Sequence, residues 1–442
     1  MNNIVLFDQA IDQILDQLKK KFNGERDFGA IHIVRDALGA LTVVLPESAL
    51  QGEEWDAFAE QLHSSLGVYS SGISRVLLGE DDLIDPEDIL NSPDKVSVDL
   101  NTWLIDRLLT NQDWLRPSLI DRAPIPTAVA FSVKGGVGRS TAFAFFGWHL
   151  ARKGKNVLLV DLDLEAPGMG AMLLSELPKF GLIDWIIENI NGQGSVDLLD
   201  SAIAQAPIAH DAPGSLRILA AYGRESHQYI SKLGRVYGNS FDESGAMVGL
   251  AERLRDLLNT IQKLENRPDV ILLDSRAGLH DIGSAAITRL GAEVFLFARN
   301  DEQDWWSYRQ IFDHLQHSKS VAHGMGNEDD LRWKLKMVAA QTAANESARK
   351  SWIDRSYKEW AQFYDDESYK ENPDFEPVVF SQDDAAAPHF PLFVNFEPAI
   401  RGQSLTHVES RPEWNYVKGI FGDFFKGAEL RLWPSEEYEE SE

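Results

Sequence analysis

One glycine-rich turn constrains the fold of this chain more than any other feature of its sequence. The turn follows an apolar run, residues 128–133, and leads into a second apolar stretch, residues 142–148. Its residues are Lys134, Gly135, Gly136, Val137, Gly138, Arg139, Ser140 and Thr141. A strand, a glycine turn and a helix start form the arrangement in which backbone N–H groups surround a phosphate, because glycine allows a tight turn and a close approach. The turn therefore predicts a phosphate-binding loop in an α/β domain.

The loop departs from the common phosphate-loop pattern G-x-x-x-x-G-K-[ST] at two positions. Val133 stands at the position of the first glycine, and Arg139 stands at the position of the phosphate lysine. A lysine, Lys134, occurs instead at the front of the loop. Arginine keeps the positive charge and can bind phosphate through two nitrogens, but it is longer and planar. Nucleotide binding is expected to survive this change, whereas slow hydrolysis and purely structural nucleotide binding both remain open.

Composition places the chain among ordinary globular proteins. Of its 442 residues, 44% are hydrophobic and 25% are charged, which leaves room for two or three domains. No apolar run approaches the roughly 20 residues of a membrane span, and no signal peptide is evident. The absence of cysteine excludes disulfides and thiolate metal sites and fits a cytoplasmic protein.

The net charge bears on the kind of partner to expect. At −27, the overall field repels the phosphate backbone of a nucleic acid, so it argues against non-specific DNA binding. The acidic end of the chain, residues 436–442, is the opposite of a basic membrane-targeting helix. We therefore expect neither a membrane nor a nucleic acid as partner.

Periodicity predicts three parts: a small α+β domain at 1–120, a nucleotide-binding domain at 121–430, and an acidic tail at 431–442. In the first part, helical spacing predicts helices over residues 7–22 and 55–66, with a further helix through 103–109. Its strands are predicted at 30–34, 40–45, 75–78 and 96–98, the first two forming a hairpin.

The larger part alternates apolar strands with helices. Its core strands are predicted at 128–133, 156–161, 215–221, 269–274, 293–298 and 335–340. Such continuous apolar runs are typical of a mostly parallel sheet with helices on both faces. Residues 343–375 are expected to form a helical excursion from this sheet. The fold class is thus α/β, similar to the P-loop nucleotide hydrolases, with a small α+β domain in front.

Three strand ends carry groups suited to a phosphate site. They are the loop 134–141, the acidic segment 161–168 and the segment 274–278. In an open parallel sheet, ligands bind beyond the carboxyl ends of the strands. Mg²⁺ prefers carboxylate, hydroxyl and water oxygens, which Ser140 and an acidic strand end would supply.

These segments resemble the MinD/ParA-type ATPases, in the branch with an arginine in a KGGVGR loop. The match comprises the loop itself, VDLDLEAPG at 160–168 and LLDSRAG at 272–278, and the resemblance covers roughly residues 125–425. It implies that Asp163 positions the attacking water and that Asp161 supports the loop and Mg²⁺. It further implies that Asp274 is the Walker B carboxylate, that Gly278 belongs to the nucleotide-sensing loop, and that Lys134 reaches across a dimer to the partner's phosphates.

The resemblance implies an ATPase acting as a dimeric switch that controls an unidentified protein, with Mg²⁺ bound by Ser140, Asp161 and Asp274. A non-hydrolysing scaffold that recruits an effector, in a defence system for example, is the first alternative, and a DNA-partition ATPase is the second. The absence of an N-K-x-D run favours ATP over GTP.

Some further residues carry weaker signals. Arg276, His280 and Asp281 are equally consistent with phosphate contacts and with ordinary loop residues. The pair Trp305–Trp306 is interpreted as one buried and one half-buried helix residue, with a partner surface as the alternative. Gln341 and Asn345 follow a strand near the expected base site.

Overall fold

A computed structural model gives the structure of this chain. It describes residues 5–22, 29–50, 52–92, 94–119, 122–241, 247–317, 330–364, 380–400, 403 and 405–434. The chain divides into two compact units, residues 1–116 and 117–442. None of the helices in these described ranges is long and apolar enough to cross a membrane.

The first unit is a five-stranded mixed sheet with two long helices. The helices are α1 (Phe7–Phe22), α2 (Glu53–Leu66) and the short α3 (Pro86–Leu90). The strands are β1 (Ile31–Arg35), β2 (Leu41–Leu45), β3 (Leu77–Gly79), β4 (Val96–Asp99) and β5 (Thr102–Asp106), in the sheet order β3-β2-β1-β5-β4. Helices α1 and α2 pack on each other and bury Ile14, Leu18, Phe58 and Leu62 in one core with the sheet.

The hairpin of β1 and β2 is confirmed, because these strands pair antiparallel. The helix predicted through 103–109 is wrong. Residues Thr102–Asp106 form a strand that pairs parallel with β1 on one side and antiparallel with β4 on the other. Hydrogen bonds from two neighbouring strands outweigh the helical spacing of the apolar residues in this segment.

The second unit contains an eight-stranded sheet. Its strands are β6 (Thr127–Ser132), β7 (Asn156–Asp161), β8 (Ile203–Gln205), β9 (Ser215–Leu219), β12 (Val270–Ala277), β13 (Glu293–Ala298), β14 (Leu335–Thr342) and β15 (Leu392–Asn395). A small separate hairpin consists of β10 (Ser240–Phe241) and β11 (Met247–Val248). The order in the large sheet is β15-β14-β13-β6-β12-β7-β9-β8, and every pair except β8–β9 is parallel.

Helices cover both faces of this sheet. They are α4 (Arg139–Arg152), α5 (Met169–Leu173), α6 (Leu182–Ile190), α7 (Val196–Ser201), α8 (Tyr229–Val236), α9 (Leu250–Ile261), α10 (Asp281–Thr288), α11 (Glu302–His317), α12 (Glu346–Tyr364) and α13 (Trp414–Leu432). Ala128 and Ala130 of β6 share a core with α4 and α13. Phe131 contacts Gly283 of α10 and Tyr308 of α11, because alternate side chains of a strand point to opposite faces. The predicted α/β fold class is confirmed.

Two of the predicted segments differ in extent from the structure. The excursion predicted over 343–375 contains α12 at Glu346–Tyr364, while residues 365–375 lie outside the described part of the chain. Helix α13 continues to Leu432, so the first two residues of the predicted tail are helical, and residues 435–442 lie outside the description.

Candidate phosphate-binding site

The glycine-rich loop joins the end of β6 to the start of α4, at the carboxyl edge of the sheet. Gly136 and Gly138 have φ angles of +74° and +92°, in the left-handed region that side chains other than glycine rarely adopt. Ala142 N–H donates to the Gly138 carbonyl, which begins the hydrogen-bonded helix. The amides of the first helical turn have no acceptor within the helix, and the helix dipole adds partial positive charge there. This terminus is therefore suited to an anion.

The core anchors the loop from below. Val137 is buried in the same apolar core as α4. Ser132 Oγ donates to the Lys134 carbonyl at 2.8 Å, which ties the end of β6 to the start of the loop. Gln341, at the end of β14, donates from Nε2 to the Gly136 carbonyl at 2.7 Å. Contacts on both sides thus preorganise the turn before any ligand is bound.

Asp161, at the end of β7, organises the loop that follows it. Its Oδ1 accepts the Asp163 amide at 3.2 Å, and its Oδ2 accepts the amides of Gly168 and Met169 at 3.1 and 3.0 Å. Burial raises the pKa of this carboxyl, and the nearby Asp274 raises it further. Hydrogen bonds donated by the backbone amides oppose both effects. Both oxygens accept backbone N–H groups, so Asp161 anchors the loop that follows it, and its role as a metal ligand stays a prediction.

Asp274 and Ser140 meet directly beneath the loop. Asp274 lies opposite Asp161 in the register of β12 and β7, so neighbouring parallel strands bring the two carboxyls to the same level. The Ser140 hydroxyl donates to Asp274 Oδ2 at 2.6 Å. Burial raises the pKa of Asp274, whereas Arg139 and Ser140 lower it. A hydroxyl beside a buried carboxylate suits one side of a Mg²⁺ coordination sphere.

Arg139 lies beneath the loop, against the carboxyls, with only 6% of its surface exposed. Its Nη1 donates to Ser132 Oγ at 2.5 Å, and its Nη2 donates to Asp163 Oδ2 at 3.2 Å. Its Nε lies 3.3 Å from Asp274 Oδ1, an ion pair without hydrogen-bond geometry. The arginine that the sequence predicts to contact nucleotide thus pairs with two of the other predicted site residues.

Asp163 connects this arginine to the loop after β7. Its Oδ1 accepts the Ala166 amide at 3.1 Å, while its Oδ2 faces Arg139. Burial raises the pKa of Asp163, and the charge of Arg139 opposes that rise.

Lys134 points away from this group of carboxyls. Its Nζ donates to Gln303 Oε1 at 2.7 Å, near the start of α11. Gln303 was not singled out from the sequence, and its position follows from β13 lying beside β6 in the sheet. The two side-chain cations of the loop therefore occupy separate surroundings.

A cavity of about 270 Å³ adjoins the loop on the side of β14 and β15. It is lined by loop atoms of Gly136, Val137, Gly138 and Thr141, by Gln341, by the segment 394–397, and by Ile400, Ile420 and Phe421. Phe396 is 49% exposed at this cavity. The sequence suggested Gln341 here but missed β15 and the residues that follow it.

A second set of contacts joins the loop after β7 to the end of β12. Arg276 Nη1 lies 2.7 Å from Glu165 Oε1, and the Tyr237 hydroxyl donates to the same oxygen at 2.5 Å. Gly278 N–H donates to the Ser132 carbonyl at 2.9 Å, so this amide of a predicted nucleotide contact is engaged within the chain. His280 occupies the N-cap position of α10 without a side-chain capping bond, and Asp281 is the first residue of that helix. Glu165 therefore links the loop after β7 to the end of β12.

The tryptophan pair divides between core and surface. Trp305 is fully buried, whereas Trp306 is 60% exposed. Both lie in α11, with Gln303 one turn before Trp306.

The described residues contain no group of three or more His, Cys, Asp or Glu side chains arranged to hold a metal ion. Ser140 and Asp274 nevertheless fit Mg²⁺ that arrives with a nucleotide, because phosphate oxygens and water supply most of its ligands in such sites.

Comparison with solved structures finds similar chains of low sequence identity. A plasmid partition protein of Borrelia burgdorferi B31 bound to AMPPNP is 12% identical, over 70% of this chain and 99% of its own, with a TM-score of 0.36. ParA of pNOB8 bound to nonspecific DNA is 15% identical, over 70% and 99%, with a TM-score of 0.43. MinD of Pyrococcus horikoshii OT3 complexed with Mg-ADP is 19% identical, over 69% and 95%, with a TM-score of 0.37. No protein-family model and no curated protein matches the chain. Likenesses this distant assign no function.

Proposed function

We propose that this chain is an ATP- and Mg²⁺-binding P-loop ATPase that acts as a nucleotide-dependent dimeric switch controlling a partner protein. The observation that carries the proposal is the Ser140–Asp274 hydrogen bond of 2.6 Å directly beneath the glycine loop. It brings a metal-ligating pair to the N-terminus of α4, where the helix dipole and the loop amides favour phosphate. The KGGVGR loop and the two acidic strand ends support the same reading.

The cavity beside the loop supplies a place for the adenine base. Val394, Ile420 and Phe421 form apolar walls, and Phe396 offers an exposed ring for stacking. Because Gly136, Gly138 and Thr141 line the same cavity, a base bound there would place its phosphates at the loop. This continuity favours a nucleotide over inorganic phosphate.

Hydrolysis would use the carboxyls at the neighbouring strand ends. Water attacks the γ-phosphorus, the bond to the bridging oxygen breaks, and ADP and phosphate leave. Asp163 is proposed to orient that water, after its Oδ2 separates from Arg139. Ser140 and Asp274 would hold Mg²⁺, which neutralises charge on the phosphate oxygens when bound. Asp161 would keep the loop around Asp163 in place through the hydrogen bonds that it accepts from three backbone amides.

The switch would arise from the contact between the loop after β7 and the end of β12. A change at Asp163 reaches Glu165 within two residues, and Glu165 contacts both Arg276 and Tyr237. Lys134 would leave Gln303 and reach the phosphates bound by a second copy, which stabilises a dimer only while the γ-phosphate is present. The net charge of −27 favours a protein over a nucleic acid as the controlled partner.

Phosphate release by the wild type, Asp163→Ala and Arg139→Lys tests the proposal. We expect slow, Mg²⁺-dependent release by the wild type and baseline release by Asp163→Ala, with ATP bound by both. Equal rates for the wild type and Asp163→Ala would contradict hydrolysis at this site.

The second candidate is a nucleotide-bound scaffold without turnover. The pairing of Arg139 with Asp163 and Asp274 favours it, because both carboxylates are engaged. Tight ATP binding with no phosphate release would support the scaffold over the switch. A DNA-partition role requires ATP-dependent retention of DNA in a gel shift at low salt, and the net charge leads us to expect none.

A further inference from the structure

The guanidinium of Arg139 joins three parts of the site. Its nitrogens reach Ser132 at the end of β6, Asp163 in the loop after β7, and Asp274 in β12, at 2.5, 3.2 and 3.3 Å. The side chains of Arg139, Asp163 and Asp274 are 8, 15 and 3% exposed. This is a buried, multiply bonded cation, not a surface side chain that happens to lie near an acid.

Its position matters because the carboxyls are crowded. Asp161, Asp163 and Asp274 all lie at one edge of the sheet, and burial disfavours their charged forms. The nearby Arg276 is paired with Glu165 at 2.7 Å, and Lys134 donates to Gln303. Arg139 is therefore the cation in direct contact with both Asp163 and Asp274.

From this geometry we infer that Arg139 is the built-in counter-ion of Asp163 and Asp274, and that it competes with a divalent cation for them. This inference deepens the proposed function. Its consequence for ATP binding rests on that function, whereas its consequence for metal binding does not. Phosphate binding then depends on the loop amides and the α4 terminus of the same copy, and on Lys134 from a second copy. Mg²⁺ enters only when the guanidinium withdraws from Asp274.

The shape of the side chain explains why arginine suits this role. Its planar fork presents nitrogens in several fixed directions, so it can reach acceptors on three separate elements at once. The lysine side chain is shorter and ends in one compact charge, so it cannot bridge Ser132, Asp163 and Asp274 together. The arginine that replaces lysine in the loop pattern thus matches the arrangement of these three acceptors.

Binding of Mn²⁺ to the nucleotide-free full chain, followed by electron paramagnetic resonance, tests the inference without any nucleotide. We expect Arg139→Gln to bind one Mn²⁺ at least tenfold more tightly than the wild type, because the carboxylates lose their counter-ion. Arg139→Gln combined with Asp274→Asn should lose that gain. Arg411→Gln, which removes an arginine paired with Asp211 at 2.5 Å, is the matched control and should behave as the wild type.

Equal Mn²⁺ affinity in the wild type and Arg139→Gln would overturn the inference. If Arg139→Gln does not fold, as judged by circular dichroism, Arg139→Lys serves as the second variant. It keeps the charge but cannot span the three acceptors, so it should bind Mn²⁺ more tightly than the wild type; unchanged binding would equally overturn the inference.

The affinity for ATP in the presence of EDTA gives a second test that is independent of metal binding. With Arg139 directed at the carboxyls, Arg139→Gln should bind ATP within threefold of the wild type when no metal is present. A tenfold loss would make Arg139 a phosphate ligand and contradict its counter-ion role. If neither protein binds ATP, the proposed function fails, while the Mn²⁺ result still decides the inference.

Discussion

At the scale of single residues, the loop distributes its positive charge in two directions. Lys134 lies at the front, held by Gln303, and Arg139 lies beneath, held by Ser132, Asp163 and Asp274. Both cations have partners within the chain, so a bound phosphate has to draw Lys134 from an existing contact. The turn itself depends on glycines in the left-handed region.

Gly138→Ala tests whether the backbone of this turn is preorganised. With φ at +92° and no atom closer than 4.0 Å to an added Cβ, the substitution introduces backbone strain but no clash. We expect a loss of about 1–2 kcal/mol in the free energy of unfolding, measured with urea, and weaker ATP binding. Gly135→Ala is the matched control, since the φ of Gly135 lies outside the left-handed region and an added Cβ meets open space. Equal stability of the two variants would show that the turn relaxes freely.

His32 of β1 gives a prediction about pH. It is 3% exposed, and burial together with Lys95 lowers its pKa from 6.5 to about 4, opposed by the Leu90 carbonyl. Between these values the unfolded chain binds the proton and the folded chain does not, so stability falls as the pH drops from about 6.5 to about 4. At pH 5 this residue should reduce the free energy of unfolding by about 2 kcal/mol relative to pH 8.

Urea unfolding monitored by hydrogen exchange of residues 31–45, at pH 5 and at pH 8, measures this difference in the free energy of unfolding. His32→Leu should lose about 2 kcal/mol of the difference between the two pH values. His63→Leu, which removes an exposed histidine from α2, should keep the wild-type difference. If His32→Leu keeps it as well, His32 is not the group that titrates.

At the scale of elements, the site exists because parallel strands end at a common edge. That rule allowed the loop, Asp161, Asp163 and Asp274 to be grouped from the sequence, since each follows an apolar run. It could not supply Gln303, Phe396 or the β15 strand, because their positions depend on packing between segments far apart in the chain. Nor could the sequence show which way Arg139 points, since that depends on the carboxyls of Asp274 in β12 and Asp163 in the loop after β7. The error at 103–109 has the same origin, because pairing with β1 and β4 overrides local spacing.

The contact between Glu165 and Arg276 is expected to couple the loop after β7 energetically to the end of β12. Their side chains are 20 and 33% exposed, and Tyr237 donates to the same carboxylate. A double-mutant cycle with Glu165→Gln and Arg276→Gln should give a coupling of about 1 kcal/mol in the free energy of unfolding. The pair Lys179–Glu225, at 3.5 Å and about half exposed, is the control and should give less than about 0.5 kcal/mol. Similar coupling energies for both pairs would argue against a specific link between the loop after β7 and the end of β12.

At the scale of the whole molecule, the chain combines a mixed five-stranded unit with a larger, mostly parallel α/β unit. Its charge of −27 disfavours close approach of any polyanion and also of a second copy. A dimer would therefore need a specific attraction at its interface. A γ-phosphate contacted by Lys134 from each copy would supply one, and its loss would separate the copies.

Light scattering of the full chain, with ATP or ADP in excess and Mg²⁺ present, tests this claim most directly. The account predicts twice the mass of a single chain with ATP, and a single chain with ADP. Lys134→Ala should remain a single chain with either nucleotide while keeping its circular dichroism spectrum. A wild-type mass that does not change with the nucleotide, or a Lys134→Ala dimer with ATP, would contradict the account.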